Sequence, residues 1–334
     1  MAAYTYRSWE TINLPAVTGN TNFIIYTVAT STPGDTLSNI IYSGLIIDGY
    51  GLSNLEEILS QYVRVEEIIF DSSNPTLLQD DEQSRTFFIY YTQDDWETWT
   101  RDTVTVTYDW TYAPVIRRKS AKITNILDYR QYAVYSFMSR DGTEEPVAVT
   151  FGTATIDNFT IEGDSTYTYI MPLSNLNYSQ GLVGGTSYRY TVANSVYYIM
   201  NTCYKYALYY LNEYGGYDYM LFGGRELEKD GLSRLSYKKN YVAQDDMSRN
   251  KVDYLTNISE AWSLNTSWLT DSQSEKMISL LATNRAWLHN LETGELFTVN
   301  ITNSTCEHKT YKNQGRKFYS YTVEVEASKP KYRI

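Results

Sequence analysis

The chain has few of the residues on which common catalytic and metal sites depend. Its 334 residues include two histidines, His289 and His308, and two cysteines, Cys203 and Cys306. Neither cysteine belongs to a Cys-x-x-Cys spacing, so the sequence predicts neither a disulfide framework nor a zinc site. A Ser-His-Asp or Cys-His catalytic centre would need one of the two histidines as its base. The scarcity of both residue types therefore narrows the enzyme mechanisms open to the chain.

The closest pair of such residues is Cys306 and His308, in the segment NSTCEHKT. In a strand this spacing puts both side chains on one face, while Glu307 points to the other face and cannot orient the histidine. Adjacent acids such as Asp94 and Asp95 also alternate between faces, which favours a solvated surface over the facing carboxylates of a glycosidase. We therefore predict that the chain is not an enzyme, with no catalytic residues, no metal site and no cofactor.

Basic residues are scarce in the first third of the chain. Residues 1–113 contain 16 acidic and 4 basic side chains, a net charge of −12, whereas the remaining 23 acidic and 24 basic side chains give +1. An acidic surface repels nucleic acid and anionic membranes, and it can steer a basic region of another copy toward itself. The same acidity also fits a solvated surface that keeps the chain soluble, and the sequence leaves both interpretations open. No nucleic-acid binding is expected.

Long apolar runs are absent as well. The longest fall far short of the roughly 20 residues that span a bilayer, which predicts no membrane insertion. The first ten residues, MAAYTYRSWE, have neither the basic nor the apolar region of a secretory leader. We therefore expect the chain to be made and to fold in the cytoplasm.

Aromatic residues and short alternating segments are abundant. The chain has 34 Tyr, 10 Phe and 7 Trp. Tyrosine combines an apolar ring with a polar tip, which suits half-buried strand faces and contact surfaces. Apolar and polar residues alternate in FIIYTVAT (23–30), RTFFIYYT (85–92) and DTVTVTYDW (102–110), and turn residues separate these segments. The predicted fold class is mainly β, with consecutive β-sandwich-like or barrel-like domains and a few short helices.

Strand-breaking residues and changes of composition along the chain predict three domains. Residues 1–113 form an acidic β-sandwich-like domain, which ends where Pro114 and a basic cluster interrupt the strands. Residues 114–190 form a second small β domain. Residues 191–334 form a mixed β domain, in which residues 285–302 predict a hairpin.

Two segments carry helix signals within this β pattern. Residues 53–63 begin with a Ser-x-x-Glu capping box, and residues 270–284 begin with Thr-x-x-Gln at the same spacing. Each segment has apolar residues at helical spacing: Leu55, Ile58, Leu59 and Tyr62 in the first, and Met277, Leu280 and Leu281 in the second.

Two Gly-Gly pairs occur in the most aromatic stretch, YALYYLNEYGGYDYMLFGG at residues 206–224. Neither pair is followed by the Lys-Ser/Thr of a phosphate-binding P-loop, and the G-x-G-x-x-G spacing of a dinucleotide site is absent. Glycine adopts positive φ at little cost, so each pair predicts a turn at the end of a strand. The stretch is therefore interpreted as structural.

This stretch, together with LNTSWLTDSQSEKMISLL at residues 264–281 and AWLHNLETGELFTVNITNSTCEHKTYKNQGRKFYSYTVEVE at residues 286–326, resembles the C-terminal part of structural tail proteins. The proteins concerned are encoded by tailed phages of Bacteroidota, including the crAss-like phages. The YSGL strand and VTVTYDWTY in the first domain are similar to the N-terminal part of the same proteins. The resemblance covers most of the chain, least clearly residues 119–190, and implies a virion component at the tail hub, ring or distal end.

The resemblance implies a ring built from copies of the chain, in contact with other phage tail or neck proteins. The location would be the phage tail of the virion, after synthesis in the host bacterial cytoplasm. Abundant tyrosine and tryptophan independently suit a subunit with large interfaces. The alternative is a carbohydrate-binding module or glycan-active enzyme of a tail or cell-surface system, because exposed aromatic rings also stack on sugars. The predicted self-association residues are Arg117, Arg118, Lys119, Tyr217 and Trp268.

Overall fold

A computed structural model describes most of the chain as β-sheet. The described residues are 2–5, 12–14, 23–29, 36–47, 50–53, 67–80, 84–92, 100–107, 116–118, 124–139, 144–161, 166–178, 187–193, 195–212, 215–223, 227–238, 251–270, 273–274, 277–303, 319–329 and 331–333. Within them the chain forms 24 strands, one α-helix and one turn of 3-10 helix. The mainly β, sandwich-like fold class predicted from the sequence is confirmed.

The strands are numbered in chain order. The first twelve are β1 (Ala2–Thr5), β2 (Ile12–Leu14), β3 (Phe23–Ala29), β4 (Thr36–Ile47), β5 (Tyr50–Ser53), β6 (Thr76–Asp80), β7 (Ser84–Thr92), β8 (Thr100–Thr107), β9 (Ile116–Arg118), β10 (Ile126–Asp128), β11 (Tyr132–Ser139) and β12 (Glu145–Phe151). The others are β13 (Ala154–Ile161), β14 (Thr166–Pro172), β15 (Ser187–Val192), β16 (Ser195–Met200), β17 (Tyr206–Leu211), β18 (Tyr217–Phe222), β19 (Leu227–Lys238), β20 (Lys251–Asn265), β21 (Ala286–Asn290), β22 (Leu296–Ile301), β23 (Thr322–Ala327) and β24 (Lys331–Arg333). The 3-10 turn is Leu173–Asn175, and the helix, α1, is Met277–Leu281.

Sheet 1 comes from the first 107 residues and has seven strands in the order β1-β8-β7-β3-β4-β5-β2. All its pairs are antiparallel except β1 with β8. The strands predicted at residues 23–30, 85–92 and 102–110 appear as β3, β7 and β8. Of the helix predicted at residues 53–63, Ser53 is the last residue of β5, and residues 54–63 lie outside the described part of the chain.

Sheets 2 and 3 pack face to face as a sandwich. Sheet 2 has the order β10-β16-β15-β12-β13, and sheet 3 has the order β6-β14-β11-β9. The ring of Tyr135 in β11 lies 6.0 Å from that of Tyr190 and 4.9 Å from that of Tyr197, both in sheet 2. Phe159 of sheet 2 stacks on Tyr169 of sheet 3 at 5.0 Å. Tyrosine rings therefore fill the space between the two sheets.

Sheet 4 curls on itself. Its strand order is β18-β17-β21-β22-β23-β20-β19, and β24 pairs with β20. Strands β18 and β19 are at opposite ends of this order, yet only residues 223–226 connect them. The hydroxyl of Tyr206 in β17 donates to the carboxylate of Glu228 in β19 at 2.5 Å. The sheet must therefore bend until its two ends approach each other, which gives it a barrel-like shape.

The hairpin β17–β18, called the central hairpin, is buried on both faces. One face joins the first core, which also fills the sandwich and whose largest fully buried side chains are Tyr135, Tyr169, Tyr190, Tyr197, Tyr209 and Tyr217. The other face joins the second core, inside the curled sheet, with Tyr206, Leu208, Tyr210, Phe222, Trp262, Leu264, Met277 and Leu280. A strand buried on both faces has a continuous apolar sequence, which explains YALYYL and YDYMLF.

The sheets extend across both boundaries of the predicted three-domain division. Strand β6, from residues 1–113, pairs with β14 of residues 114–190. The boundary between residues 190 and 191 falls within β15, between its fourth and fifth residues, and Tyr190 pairs there with Tyr197. The first core also contains residues from all three segments, including Ile68 and Trp287. Alternation locates strands but does not say which strands pair.

The predicted elements of the C-terminal segment are found in this sheet. Within the helix predicted over residues 270–284, the structure has α1 at Met277–Leu281, with Met277 and Leu280 in the second core, and residues 282–284 are not helical. The side chain of Gln273 accepts hydrogen bonds from the backbone N–H of Thr270 at 2.9 Å and from its hydroxyl at 3.1 Å. This is the return bond of a capping box. The predicted hairpin at residues 285–302 is β21–β22.

Candidate functional site

The first Gly-Gly pair makes the turn of the central hairpin. Gly215 has φ of +74°, which confirms the predicted turn conformation. The backbone N–H of Asn212 donates to the carbonyl of Gly216 at 2.7 Å, and the side-chain oxygen of Asn212 accepts from the N–H of Gly216 at 3.0 Å. The Asn212 amide also donates to Asp218 at 2.7 Å. The side chain of Asn212 therefore bonds to both Gly216 and Asp218 across the turn.

The second pair serves a different purpose from the one predicted. Gly223 does not have positive φ; a Cβ at this position would lie 2.1 Å from Cδ1 of Tyr204. Glycine is required there because the ring of Tyr204 lies against the backbone. The predicted turn conformation is therefore wrong for Gly223, and Gly224 lies outside the described residues.

Two of the predicted self-association residues have described side chains, and they differ in exposure. Tyr217 is buried in β18, its ring is 5.6 Å from that of Trp287, and its backbone N–H donates to the hydroxyl of Ser136 at 2.8 Å. The prediction for Tyr217 is wrong, because both faces of β18 are covered within the chain and leave no ring surface for a second copy. Trp268 is 72% exposed and can contact a partner.

Of the basic residues in the same prediction, the structure describes the backbone of Arg117 and Arg118 but not their side chains. Arg117 and Arg118 belong to β9, which is the last strand of sheet 3 and pairs with β11. Lys119 lies outside the described residues. The two arginines are therefore at a sheet edge, where another chain can approach.

His289 lies in the first core region beside two tyrosines. Its ring centroid is 5.4 Å from that of Tyr132 and 6.3 Å from that of Tyr209, and its Nδ1 is 3.4 Å from the Tyr209 hydroxyl. Burial, opposed by Asp128 and assisted by Arg130, lowers the pKa of His289 to about 4. The imidazole is therefore neutral at pH 7 and packs as part of an aromatic cluster.

Of the other residues weighed for chemistry, the structure describes only Cys203. Cys203 is an exposed free thiol. The pair Cys306 and His308 and the acids Asp94 and Asp95 lie outside the described residues. In the described part of the chain, no three His, Cys, Asp or Glu side chains are grouped as metal ligands, and no helix is long and apolar enough to cross a membrane.

An ion pair between the buried Asp128 and the partly exposed Arg130 ties the turn after β10 to the segment before β17. Arg130 donates to both oxygens of Asp128, from Nε at 2.8 Å and from Nη2 at 3.0 Å. Its Nη2 also donates to the carbonyls of Thr202 at 3.1 Å and Tyr204 at 2.9 Å. Asp128 accepts further bonds from the N–H and hydroxyl of Thr202. The carboxylate raises the pKa of Arg130, and this closed set of bonds identifies a structural tie.

The most exposed part of sheet 4 is a long arm that the sequence pattern does not predict. Strand β19 and residues 251–261 of β20 form this arm, in which the 12 residues of β19 all pair with β20. At about 3.4 Å per residue, β19 extends about 40 Å. Every residue of β19 is exposed except Ser236, which is half-buried. Its sequence, LEKDGLSRLSYK, is rich in residues that strands usually avoid, which is why alternation did not reveal it.

The arm exposes large apolar side chains. They are 44–58% exposed and comprise Leu227, Leu232, Leu235, Tyr237 and Tyr254. The rings of Tyr237 and Tyr254 are 6.1 Å apart, next to the irregularity in the β19–β20 register at Leu235 and Ser236. A protruding pair of strands with exposed apolar residues is typical of a surface that another chain covers. No protein-family model matches the chain, and comparison with curated proteins gave no match either.

Proposed function

We propose that this protein is a structural subunit of a bacteriophage tail that assembles with copies of itself into a ring. In the virion it would contact other tail or neck proteins, as a hub, ring or distal adaptor component. The sequence resemblance to tail proteins of Bacteroidota phages supports the phage assignment. The exposed arm supports the assembly role, and it is the observation that carries the proposal.

The arm favours assembly because exposing its apolar side chains to water is unfavourable in free energy. Fully burying a leucine or aromatic side chain stabilises a protein by roughly 1.5–3 kcal/mol. The five large apolar side chains of the arm are about half exposed, so covering each would contribute about 1 kcal/mol. An assembling subunit gains this free energy at its interfaces, whereas a monomer does not.

A closed ring also requires a contact between two different surfaces, because rotation about one axis repeats the same head-to-tail interface. The net charge of −12 in residues 1–113 and the arginines of β9 offer opposite charges for such a contact. Charges of this kind orient the approach, while buried aromatic residues supply most of the affinity. Trp268 is an exposed ring of the required kind.

The proposal is tested on the purified full-length protein and on purified virions. We expect electron microscopy and mass measurement to show closed rings of one copy number, and antibodies to label the phage tail. A protein that stays monomeric at all concentrations and is absent from virions would overturn the proposal.

The variant Trp268→Ala separates the proposal from the carbohydrate-binding alternative. If Trp268 packs at a subunit contact, the variant forms fewer rings and binds no less glycan than the wild type. If Trp268 stacks on a sugar, glycan binding is lost while the oligomeric state stays unchanged. Asn284→Ala, at another exposed position, is a matched surface control.

A further inference from the structure

The outer edge of β19 is suited to pair with another strand. β19 is the last strand of sheet 4, and no described strand pairs with its outer edge. It has 12 residues, whereas most strands have about 5 or 6, and it contains no proline. Natural sheets usually keep exposed edges short or interrupt them, because a long free edge is a template for another chain.

We propose that β19 pairs in antiparallel register with β19 of a second copy, across a twofold axis at Leu232. Such a contact is isologous: the same surface meets itself. It therefore goes beyond the ring, whose neighbours meet through two different surfaces. A subunit that makes both contacts would join two rings, and a subunit that makes only the β19 contact would form a dimer.

Symmetry restricts the registers that β19 can adopt with its copy. The twofold axis must be perpendicular to the sheet, so it keeps each side chain on its own face. Because faces alternate along a strand, the axis must pass through a residue and not between two residues. Near the middle of β19, this leaves registers centred on Leu232 or on Ser233.

The register centred on Leu232 has one mismatch, Lys229 opposite Leu235 of the second copy, and otherwise matches charges and apolar groups. It places Asp230 opposite Arg234 of the second copy, and the same pair occurs twice by symmetry. It also places Leu227 opposite Tyr237 of the second copy and Leu232 opposite itself. Opposite charges and apolar pairs directly across two strands are the pairs that stabilise a sheet.

The register centred on Ser233 is less favourable. It places Leu232 opposite the charged Arg234 of the second copy. It also places Lys238 of the second copy opposite Glu228, which already accepts hydrogen bonds from Lys205 at 2.9 Å and from Tyr206 within its own chain. We therefore assign the axis to Leu232.

The position of Asp230 within the arm is compatible with this charge pair. Asp230 is exposed and lies directly opposite Glu260 of β20. Arg234 of the second copy would come next to Asp230 from the other side, where opposite charges across two strands are favourable.

Cysteine crosslinking tests the register. The full-length chain with Cys203→Ser and Cys306→Ser provides the background, and Leu232→Cys, Ser233→Cys and Leu235→Cys are compared after mild oxidation. We expect a disulfide-linked dimer for Leu232→Cys alone. In the proposed register, Leu235 and its copy are offset by six residues, about 20 Å, and Ser233 and its copy by about 7 Å along the strands. Cα atoms more than about 7 Å apart do not form a disulfide, and the offset for Ser233 adds to the spacing between strands.

A dimer with Ser233→Cys in place of Leu232→Cys would overturn the register, and no dimer with either would overturn the pairing. The circular dichroism spectrum of each variant shows that it is folded. Positions 203, 232, 233 and 235 are exposed, so folding is expected to be retained after substitution there.

A charge swap tests the contact without cysteine. We expect Asp230→Arg and Arg234→Asp each to raise the dimer dissociation constant about tenfold, because each puts like charges opposite at two symmetric places. The double variant restores opposite charges and should return the constant to within about threefold of wild type. A double variant as weak as either single variant would overturn the proposal.

The test of the β19 contact does not depend on whether the protein forms a ring. Sedimentation of β19 variants reports the twofold contact, whereas ring closure is seen by microscopy. Dimers without rings would contradict the proposed function and support the β19 contact. Single rings without crosslinks at Leu232 would support the proposed function and contradict the β19 contact.

Discussion

The hydroxyl oxygen of Tyr209 accepts a hydrogen bond from the backbone N–H of Tyr132 at 2.8 Å, so the central hairpin is joined to sheet 3 inside the protein. Tyr209 is also 3.4 Å from Nδ1 of His289. Burial raises the pKa of the Tyr209 hydroxyl far above its usual value, which keeps it protonated. One side chain therefore fixes the distance between two sheets.

Removing this hydroxyl should destabilise the protein more than removing another one in the same core. Tyr209→Phe leaves the N–H of Tyr132 without its acceptor, and we expect unfolding free energy to fall by about 1–3 kcal/mol. Tyr190 is equally buried, and its hydroxyl has no hydrogen-bond partner among the described residues. Tyr190→Phe should therefore be within about 0.5 kcal/mol of wild type or more stable. Urea unfolding of both variants provides the comparison, and equal losses would contradict it.

The pair of Asp128 and Arg130 should behave as one unit. Arg130→Met leaves the carboxylate of Asp128 buried without its cation, and we expect a loss of about 3–5 kcal/mol. Asp128→Asn in addition to Arg130→Met should recover part of that loss, because the buried charge is gone. A double-mutant cycle from urea unfolding measures the coupling. Additive losses would show that Asp128 and Arg130 contribute to stability independently, with no coupling between them.

Protonation of His289 should make stability fall in mild acid. Its pKa is about 4 in the folded protein, against an ordinary value of about 6.5, so the unfolded chain binds the proton more readily. Stability from this group is fully present above about pH 6.5 and is lost as pH falls toward 4. Between pH 7.5 and 5 we expect a loss of about 2 kcal/mol.

The variants of the two histidines identify the group responsible for this loss. His289→Gln should remove the contribution of His289, and His308→Gln should keep it. The measurement is urea unfolding at a series of pH values for wild type and both variants. The same pH slope in His289→Gln and wild type would show that another group titrates.

Replacing Gly223 should destabilise the protein because the Tyr204 ring leaves no room for a side chain. The Cβ of Gly223→Ala would lie 2.1 Å from the ring of Tyr204, and we expect a loss of about 1–3 kcal/mol as the ring moves. Gly294 has φ of +76° and nothing within 4 Å of the position a Cβ would take. Gly294→Ala should therefore cost only about 1 kcal/mol of conformational strain, and Gly294→Asn less. Adding Tyr204→Ala should offset the loss at Gly223 alone.

Charge steering predicts a salt-dependent assembly rate. Reversing Arg117, Arg118 and Lys119 to Glu should slow assembly at low salt and change it little at 1 M salt, where the Debye length is about 3 Å. Light scattering follows the rate, and the final ring should be the same because charge mainly affects approach. An unchanged rate at both salts would leave the acidity of residues 1–113 as a solubility feature.

The sequence predicted strands, helices and turns wherever a local pattern, such as alternation, helical spacing or a glycine turn, was present. Alternation located β3, β7 and β8, the spacing of apolar residues located α1, and the first Gly-Gly pair located the hairpin turn at Gly215. These signals depend on residues a few positions apart. The exposed arm gave no such signal, because its polar sequence resembles that of a loop.

Only the tertiary structure decided which faces are covered. The sequence by itself determined a mainly β chain with few chemically reactive residues and many tyrosines. It did not show that β17 and β18 lie between two cores, and it therefore placed Tyr217 on the surface. It also divided the chain at residue 190, within a strand whose partners come from both sides of that point. Strand pairing and burial depend on contacts between residues far apart in the chain, and alternation along one strand is the same whichever partner covers it.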